Sequence, residues 1–279
     1  MATCITSERN HIAGIGLALA LALNVVIVNA LAKYLGDWLH PAAIMFWRNG
    51  IALGLVTIFL VATRRGRSRL RTGKPGLQFI HAAITSISMG ATFAAFHILP
   101  MAEATALLYT APLFLTLMAP FLLKEHVDST IIVTVIIGFA GALIMIAPEG
   151  AMTIKGALFG LFGAVTFALV LVCLRRLGNS EHPQTTTFYF LLFSTLMTGM
   201  ILPFVGAAIP EHIVPAAIAI GLAGASSQAL RSYAYALAPA SVLAPLNYTG
   251  FVWACLIGVA VWGDWPAGVT VLGAILIVG

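Results

Sequence analysis

The fold turns on two stretches that echo each other, AKYLGDWLHPAAIMFWRNG at 32–50 and LRRLGNSEHPQTTTFYFLL at 174–192. Laid 142 residues apart, they set Lys33 on Arg175, Leu35-Gly36 on Leu177-Gly178, His40-Pro41 on His182-Pro183 and Phe46 on Phe188. After a three-residue slip to an offset of 139, Ser88 falls on Ser227, Phe96 on Tyr235, Pro100 on Pro239 and Tyr109-Thr110 on Tyr248-Thr249. Matches among Ala and Leu carry little weight in so apolar a chain, but His-Pro and Tyr-Thr pairs at near-constant spacing do. One unit has been used twice.

Composition says where that unit lives. Of 279 residues, 61% are hydrophobic and 8% charged, and the mean hydropathy is +1.03. A water-soluble domain cannot bury that much apolar surface, whereas a bilayer accepts it. Runs of about 20 apolar residues cross roughly 30 Å of hydrocarbon as helix. They fall at about 12–35, 41–63, 77–98, 101–123, 130–147, 156–176, 185–204, 213–236, 240–262 and 266–279. They are continuously apolar, without the two-residue alternation of barrel strands, so helices are predicted. The expected fold is an all-α membrane protein of ten transmembrane helices in two five-helix repeats, 1–150 and 151–279. Five is odd, so the second repeat enters from the opposite face and the two are inverted. The last run, about 14 residues, spans only about 21 Å, and the chain is expected to continue past Gly279.

Charge orients the spans. Arg64, Arg65, Arg67, Arg69, Arg71 and Lys74 share one connection, and Arg9, Lys124, Arg175 and Arg176 fall on the same side. Only Lys33 and Lys155 fall opposite, which places the N-terminus in the cytoplasm of a plasma or bacterial inner membrane. The basic residues flank spans without interleaved aromatics, so the pI of 9.4 does not point to nucleic acid. The first run follows Arg9 as a secretory signal would, but its length, Asn24, Asn29 and its repeat partner mark a mature helix. Cys4, Cys173 and Cys255 are scattered and frame neither a disulfide network nor a metal site.

The Phe46-Trp47-Arg48-Asn49 stretch, the Ala102-Glu103-Ala104-Thr105-Ala106 to Pro112 stretch and the Lys124-Glu125 turn, matched by Gly263-Asp264, carry a family resemblance, as does the closing Gly273 to Gly279 segment. Over essentially its whole length the chain resembles the EamA-type, ten-helix members of the drug/metabolite transporter superfamily. The resemblance implies a secondary transporter working by alternating access through a central cavity between the repeats. Within that group it resembles the bacterial aromatic amino-acid exporters. Export of another metabolite or drug is the alternative, and a channel-like facilitator is the alternative of a different class. No nucleotide-binding loop is present, so no ATPase activity is expected, nor any cofactor. A monomer in the bilayer is expected, with a dimer left open. An intramembrane enzyme would need a nucleophile with its base, or a metal constellation, and neither pattern occurs.

Candidate binding residues are the polar and aromatic groups inside apolar runs, since lipid would exclude them. In the third span His81, Thr85, Ser88 and Thr92 form a stripe extended by Phe96, which reads either as cavity lining or as interhelical packing. The fourth and ninth spans offer Tyr109 and Tyr248 as a symmetric pair, with Asn247 beside the second and Pro112 freeing a carbonyl beside the first. Ser227, Arg231 and Tyr235 share a face of the eighth span beside Gln228, and Asn24 and Trp253 complete the set. A solute carboxylate would suit Arg231 and a flat ring the aromatic residues. Four further groups remain open between coupling and structure. Arg48 either snorkels outward to backbone carbonyls or meets a solute carboxylate, Glu103 either caps its helix or couples protons, and His81 and His97 are either relays or structural. Gly14, Gly16, Gly156, Gly160 and Gly163 are expected to allow close helix packing.

Overall fold

The computed structural model describes residues 2–63, 66–122, 129–146, 153–178, 180–206, 208–237, 240–243 and 245–278, and among them the regular structure is entirely helical. The α-helices are α1 Ala2–Gly36, α2 Pro41–Ala62, α3 Pro75–Ile98, α4 Met101–Leu108, α5 Ala111–Leu122 and α6 Ser129–Ile146. They continue as α7 Ile154–Gly178, α8 Pro183–Val205, α9 Val214–Leu237, α10 Ala240–Leu243, α11 Thr249–Ile257 and α12 Gly268–Val278. Seven helical stretches are long and apolar enough to cross a membrane, and three shorter apolar ones lie at Val135–Ile146, Leu246–Trp262 and Gly268–Ile277. The chain is a multi-pass membrane protein.

The repeated His-Pro pairs have one local job. His40 Nδ1 accepts from Ala42 N at 3.2 Å and His182 Nδ1 from Gln184 N at 3.2 Å, so each imidazole caps the helix that its proline opens. The proline has no N–H to leave unsatisfied in that first turn.

The fourth and ninth apolar runs are interrupted helices. Pro112 cannot donate to Leu108 O, and at the break Thr110 Oγ1 donates to Leu107 O at 2.6 Å before α5 begins. The ninth run breaks into α10, a 3₁₀ turn Pro245–Tyr248 and α11, and ends in a π-helical turn Gly258–Trp262 closed by Gly263 at φ 71°. Both interruptions fall beside the tyrosines singled out above.

The four most extensive pairings are α3 with α7, α1 with α9, α2 with α8 and α6 with α12. Glycine explains two of the close ones. A Cβ on Gly163 of α7 would come within 3.2 Å of Thr92 Oγ1 on α3, and one on Gly141 of α6 within 2.7 Å of Gly273 O in α12. Gly160 and Gly156 are crowded as well, by Leu107 of α4 and by Leu99, but Gly16 of α1 has nothing within 4 Å, so the packing role expected of it is not met.

Candidate functional site

The interrupted helices meet. The Tyr109 and Tyr248 rings lie edge to face with centroids 5.2 Å apart, and Tyr109 Oη donates to Asn247 O at 2.8 Å. That bond gives the Asn247 carbonyl, inside the irregular Pro245–Tyr248 turn, a side-chain donor from the other interrupted helix. Tyr109 Oη also occupies the space where a Cβ on Gly250 would stand, so that glycine is what admits it. Tyr248 and Trp253 are half-buried and Asn247 is exposed, so aromatic faces and an amide remain available beside the junction.

Two polar seams flank this junction. Between α1 and α9, Asn24 Nδ2 donates to Ala223 O at 2.8 Å and to Ser227 Oγ at 2.7 Å. Between α3 and α7, Ser88 Oγ donates to Gly163 O at 3.0 Å, and Thr92 Oγ1 lies against the same glycine. Gln228 is half-buried and Arg231 exposed on α9, while the Tyr235 side chain lies outside the described residues.

The stripe on α3 does not act as one surface. His81 turns its edge to Phe190 of α8 at 6.1 Å, Thr85 donates to its own helix at His81 O, and Ser88 and Thr92 face α7. Phe96 has no exposed surface and sits in the core with Met101 and Leu107. It packs rather than lines.

A charged cluster joins the ends of several helices. Lys33 Nζ at the end of α1 donates to Leu99 O at 2.8 Å and pairs with Asp264 Oδ2 at 3.2 Å, with the Trp262 ring 5.3 Å away. Glu103, 2% exposed in the first turn of α4, shares this cluster with Lys33, Asp264 and Thr270 of α12, and its Oε2 has no hydrogen-bond partner among the described residues. Lys33 and Asp264 were not singled out as a pair. The available signal was Lys33 standing almost alone on its side of the charge distribution. His97 is near the surface, 3.6 Å from Asp37.

Arg48 is buried on α2 rather than snorkelling. Its Nη1 donates to Asn49 Oδ1 at 2.6 Å, Asn49 Nδ2 donates to Ser194 Oγ at 2.8 Å, and Ser86 Oγ donates to the same hydroxyl at 2.8 Å. Asn49 entered the sequence reading only as part of the Phe46 to Asn49 stretch, and Ser86 and Ser194 not at all, because each is an ordinary packing residue until its partners are known. Among the described residues no group of three or more His, Cys, Asp or Glu is placed to hold a metal ion.

The family model described as the EamA-like transporter family matches twice, over residues 12–147 and 154–279. The chain is 27% identical to the pseudopaline exporter CntI of Pseudomonas aeruginosa, with 95% of this chain and 93% of that protein covered. It is 24% identical to the S-adenosylmethionine uptake transporter of Rickettsia prowazekii (97% and 91% covered) and 29% identical to the riboflavin transporter of Rhizobium johnstonii (85% and 78%). A solved crystal structure superposes with TM-score 0.67 at 21% identity over 96% of this chain and 95% of that one, which supports the fold. With both segments matched, the chain belongs to the EamA-like transporter family and is a membrane transporter of small metabolites rather than an enzyme.

Proposed function

We propose that this protein is a ten-span exporter of small amino-acid-type metabolites, aromatic amino acids foremost, in which two inverted five-helix repeats, 1–150 and 151–279, expose one central site alternately to either side. The observation that carries the reading is the junction of the two interrupted helices through Tyr109 and Tyr248. Broken helices at depth in a membrane are tolerated where they are covered by protein or line a solute pathway, and transporters place their sites there.

The repeat reading has two supports. The family match starts at residue 12 and again at residue 154, the 142-residue spacing of the His-Pro pairs. The helix pairings also survive exchange of the repeats. Swapping each helix for its counterpart turns α3 with α7 into α9 with α1, and α2 with α9 into α8 with α3, and leaves α2 with α8 and α6 with α12 unchanged. A two-fold arrangement has that property.

Solute class is argued from the lining and the relatives. Tyr109, Tyr248 and Trp253 offer faces to a flat ring, and Asn24, Ser227, Gln228 and Arg231 offer polar groups nearby on α1 and α9. Among the named relatives, S-adenosylmethionine and riboflavin each carry a flat heteroaromatic ring, and the first also carries an α-amino acid. The orientation follows the charge bias, with Ser68 cytoplasmic and Trp265 outside.

The test is flux of labelled phenylalanine, tryptophan, leucine and riboflavin in proteoliposomes, with and without an imposed pH gradient. Saturable tryptophan or phenylalanine flux supports the reading, and its dependence on the gradient reports coupling. Movement of riboflavin alone removes the amino-acid assignment and leaves the transporter. Single cysteines at Ser68 and Trp265 that label from the same face overturn the ten-span topology.

A further inference from the structure

The packing around Arg48 does not explain its charge. The residue is 7% exposed, held between Met89 of α3, whose Sδ is 3.8 Å from Nη1, and α9 at Gly224. A Cβ on Gly224 would lie 3.1–3.3 Å from Arg48 Cγ, Nε and Cζ, so the glycine makes room for the guanidinium. The hydrogen bonds seen for the group leave from Nη1, while Nε is enclosed with no acceptor among the described residues. Among the described residues no carboxylate lies within 4.0 Å of it. The charge of Arg231, also on α9, bears on the same guanidinium and adds repulsion. Arginine cannot escape such a site by losing its proton, and a buried cation without a counter-charge is costly.

The repeat shows that the fold does not demand this cost. The residue 142 positions on is Phe190, 5% exposed and packed against His81. One position, buried to a similar degree in both halves, holds a cation once and a benzyl ring once. The charge is specific to one half, and so is the glycine beside it. The Asn49–Ser194–Ser86 network then fixes the guanidinium from α2, α8 and α3, so its free edge is held in place before any ligand arrives.

We propose that Arg48 is the anchor for a carboxylate of the transported solute, bound through the planar edge that includes Nε, with Arg231 contributing positive charge from α9. Guanidinium and carboxylate match as a two-bond pair, and the pair would supply the missing counter-charge. This rests on the transporter reading above and names the solute group that the site recognises.

The experiment measures binding to the full-length protein in lipid nanodiscs, using L-tryptophan, L-tryptophanamide, L-leucine and L-leucinamide as probes. Wild type is expected to prefer an acid over its amide by about 10- to 100-fold, the range for a charge-assisted hydrogen-bonded contact. Arg48→Gln should abolish that preference while leaving amide binding within about twofold, and Arg48→Lys should restore only part of it. Should Arg48→Gln fail to fold, Arg48→Phe tests the same point with the side chain found at the matching position of the other half. Acid preference surviving in a folded variant overturns the anchor, as does a wild type that favours the amides or binds none of the four. An Arg48-dependent preference for leucine without tryptophan binding keeps the anchor and removes the aromatic assignment. Tryptophan bound as well as its amide does the reverse.

Discussion

The α3–α7 seam and the α1–α9 seam are made by corresponding helices of the two halves, yet they are closed by different means. On α7, Gly163 lets α3 approach, with a Cβ there only 3.2 Å from Thr92 Oγ1, while Gly156 and Gly160 admit Leu99 and Leu107 from the chain that follows α3. The α1 residues 142 earlier are Gly14, Ala18 and Leu21, so the backbone there carries more bulk. That seam is bridged by the Asn24 amide, which reaches Ala223 O and Ser227 Oγ on α9. In α7 the corresponding residue is Thr166, whose hydroxyl turns back to Phe162 O at 2.7 Å and Gly163 O at 3.0 Å. In lipid, where apolar surface gains nothing by leaving its surroundings, helices associate through close packing or through hydrogen bonds. The two seams use one solution each.

Added volume should therefore damage the first seam most. Gly163→Val is expected to cost about 1–3 kcal/mol, the range for overpacking a filled interior, whereas Gly16→Val on α1 meets open space and should cost far less. Denaturant unfolding in mixed micelles measures both. Equal losses would mean that the glycines do not close the α7 seam.

Lost polarity should damage the second seam. Asn24→Ala removes two interhelical bonds, each worth about 0.6 kcal/mol on average and up to about 1.7 in membrane proteins, so a loss of about 1–2 kcal/mol is expected. Thr166→Ala removes bonds within its own helix and should be nearly neutral. If Thr166→Ala proved as costly as Asn24→Ala, the difference between the seams would not be energetic.

Such differences mark where reading a sequence stops. The all-helical membrane class was legible because lipid imposes long apolar runs, and a proline's missing N–H marks helix starts and breaks at Pro41, Pro112 and Pro183 without reference to anything distant. The Tyr109–Tyr248 meeting was legible through the repeat. Helical spacing leaves open whether Phe96 lines or packs, because it shows which residues share a face but not what that face meets. The Lys33–Asp264 pair spans 231 residues, and no local pattern selects one partner at that separation. Burial of Arg48 was hidden for a related reason, since the room for it comes from Gly224 on a helix of the other half.

Ser88→Ala sharpens the comparison on the glycine side. Its single bond to Gly163 O should be worth about 0.6 kcal/mol, less than Asn24 and well below Gly163→Val. A loss matching that of Asn24→Ala would show that the α3–α7 seam depends on its hydrogen bond as much as on its missing side chains.

The smallest effect concerns the caps. His182 accepts from Gln184 N through Nδ1, and Arg69 donates to the Gln184 side chain beside it. Partial burial, and then the Arg69 charge, hold the His182 pKa below its ordinary value of 6.5. A base that binds its proton less readily when folded contributes stability at pH above that ordinary value, and the contribution is lost as pH falls through it towards the depressed folded value. The chemistry agrees, because an Nδ1 that has taken up a proton cannot accept from Gln184 N. His182→Asn keeps a capping acceptor that does not titrate, and a cap is worth about 1 kcal/mol at most sites. The melting temperature of wild type should therefore fall more between pH 7.5 and 5.5 than that of His182→Asn, by no more than the loss of one cap allows. Identical slopes in the two proteins would mean that the His182 cap does not respond to pH.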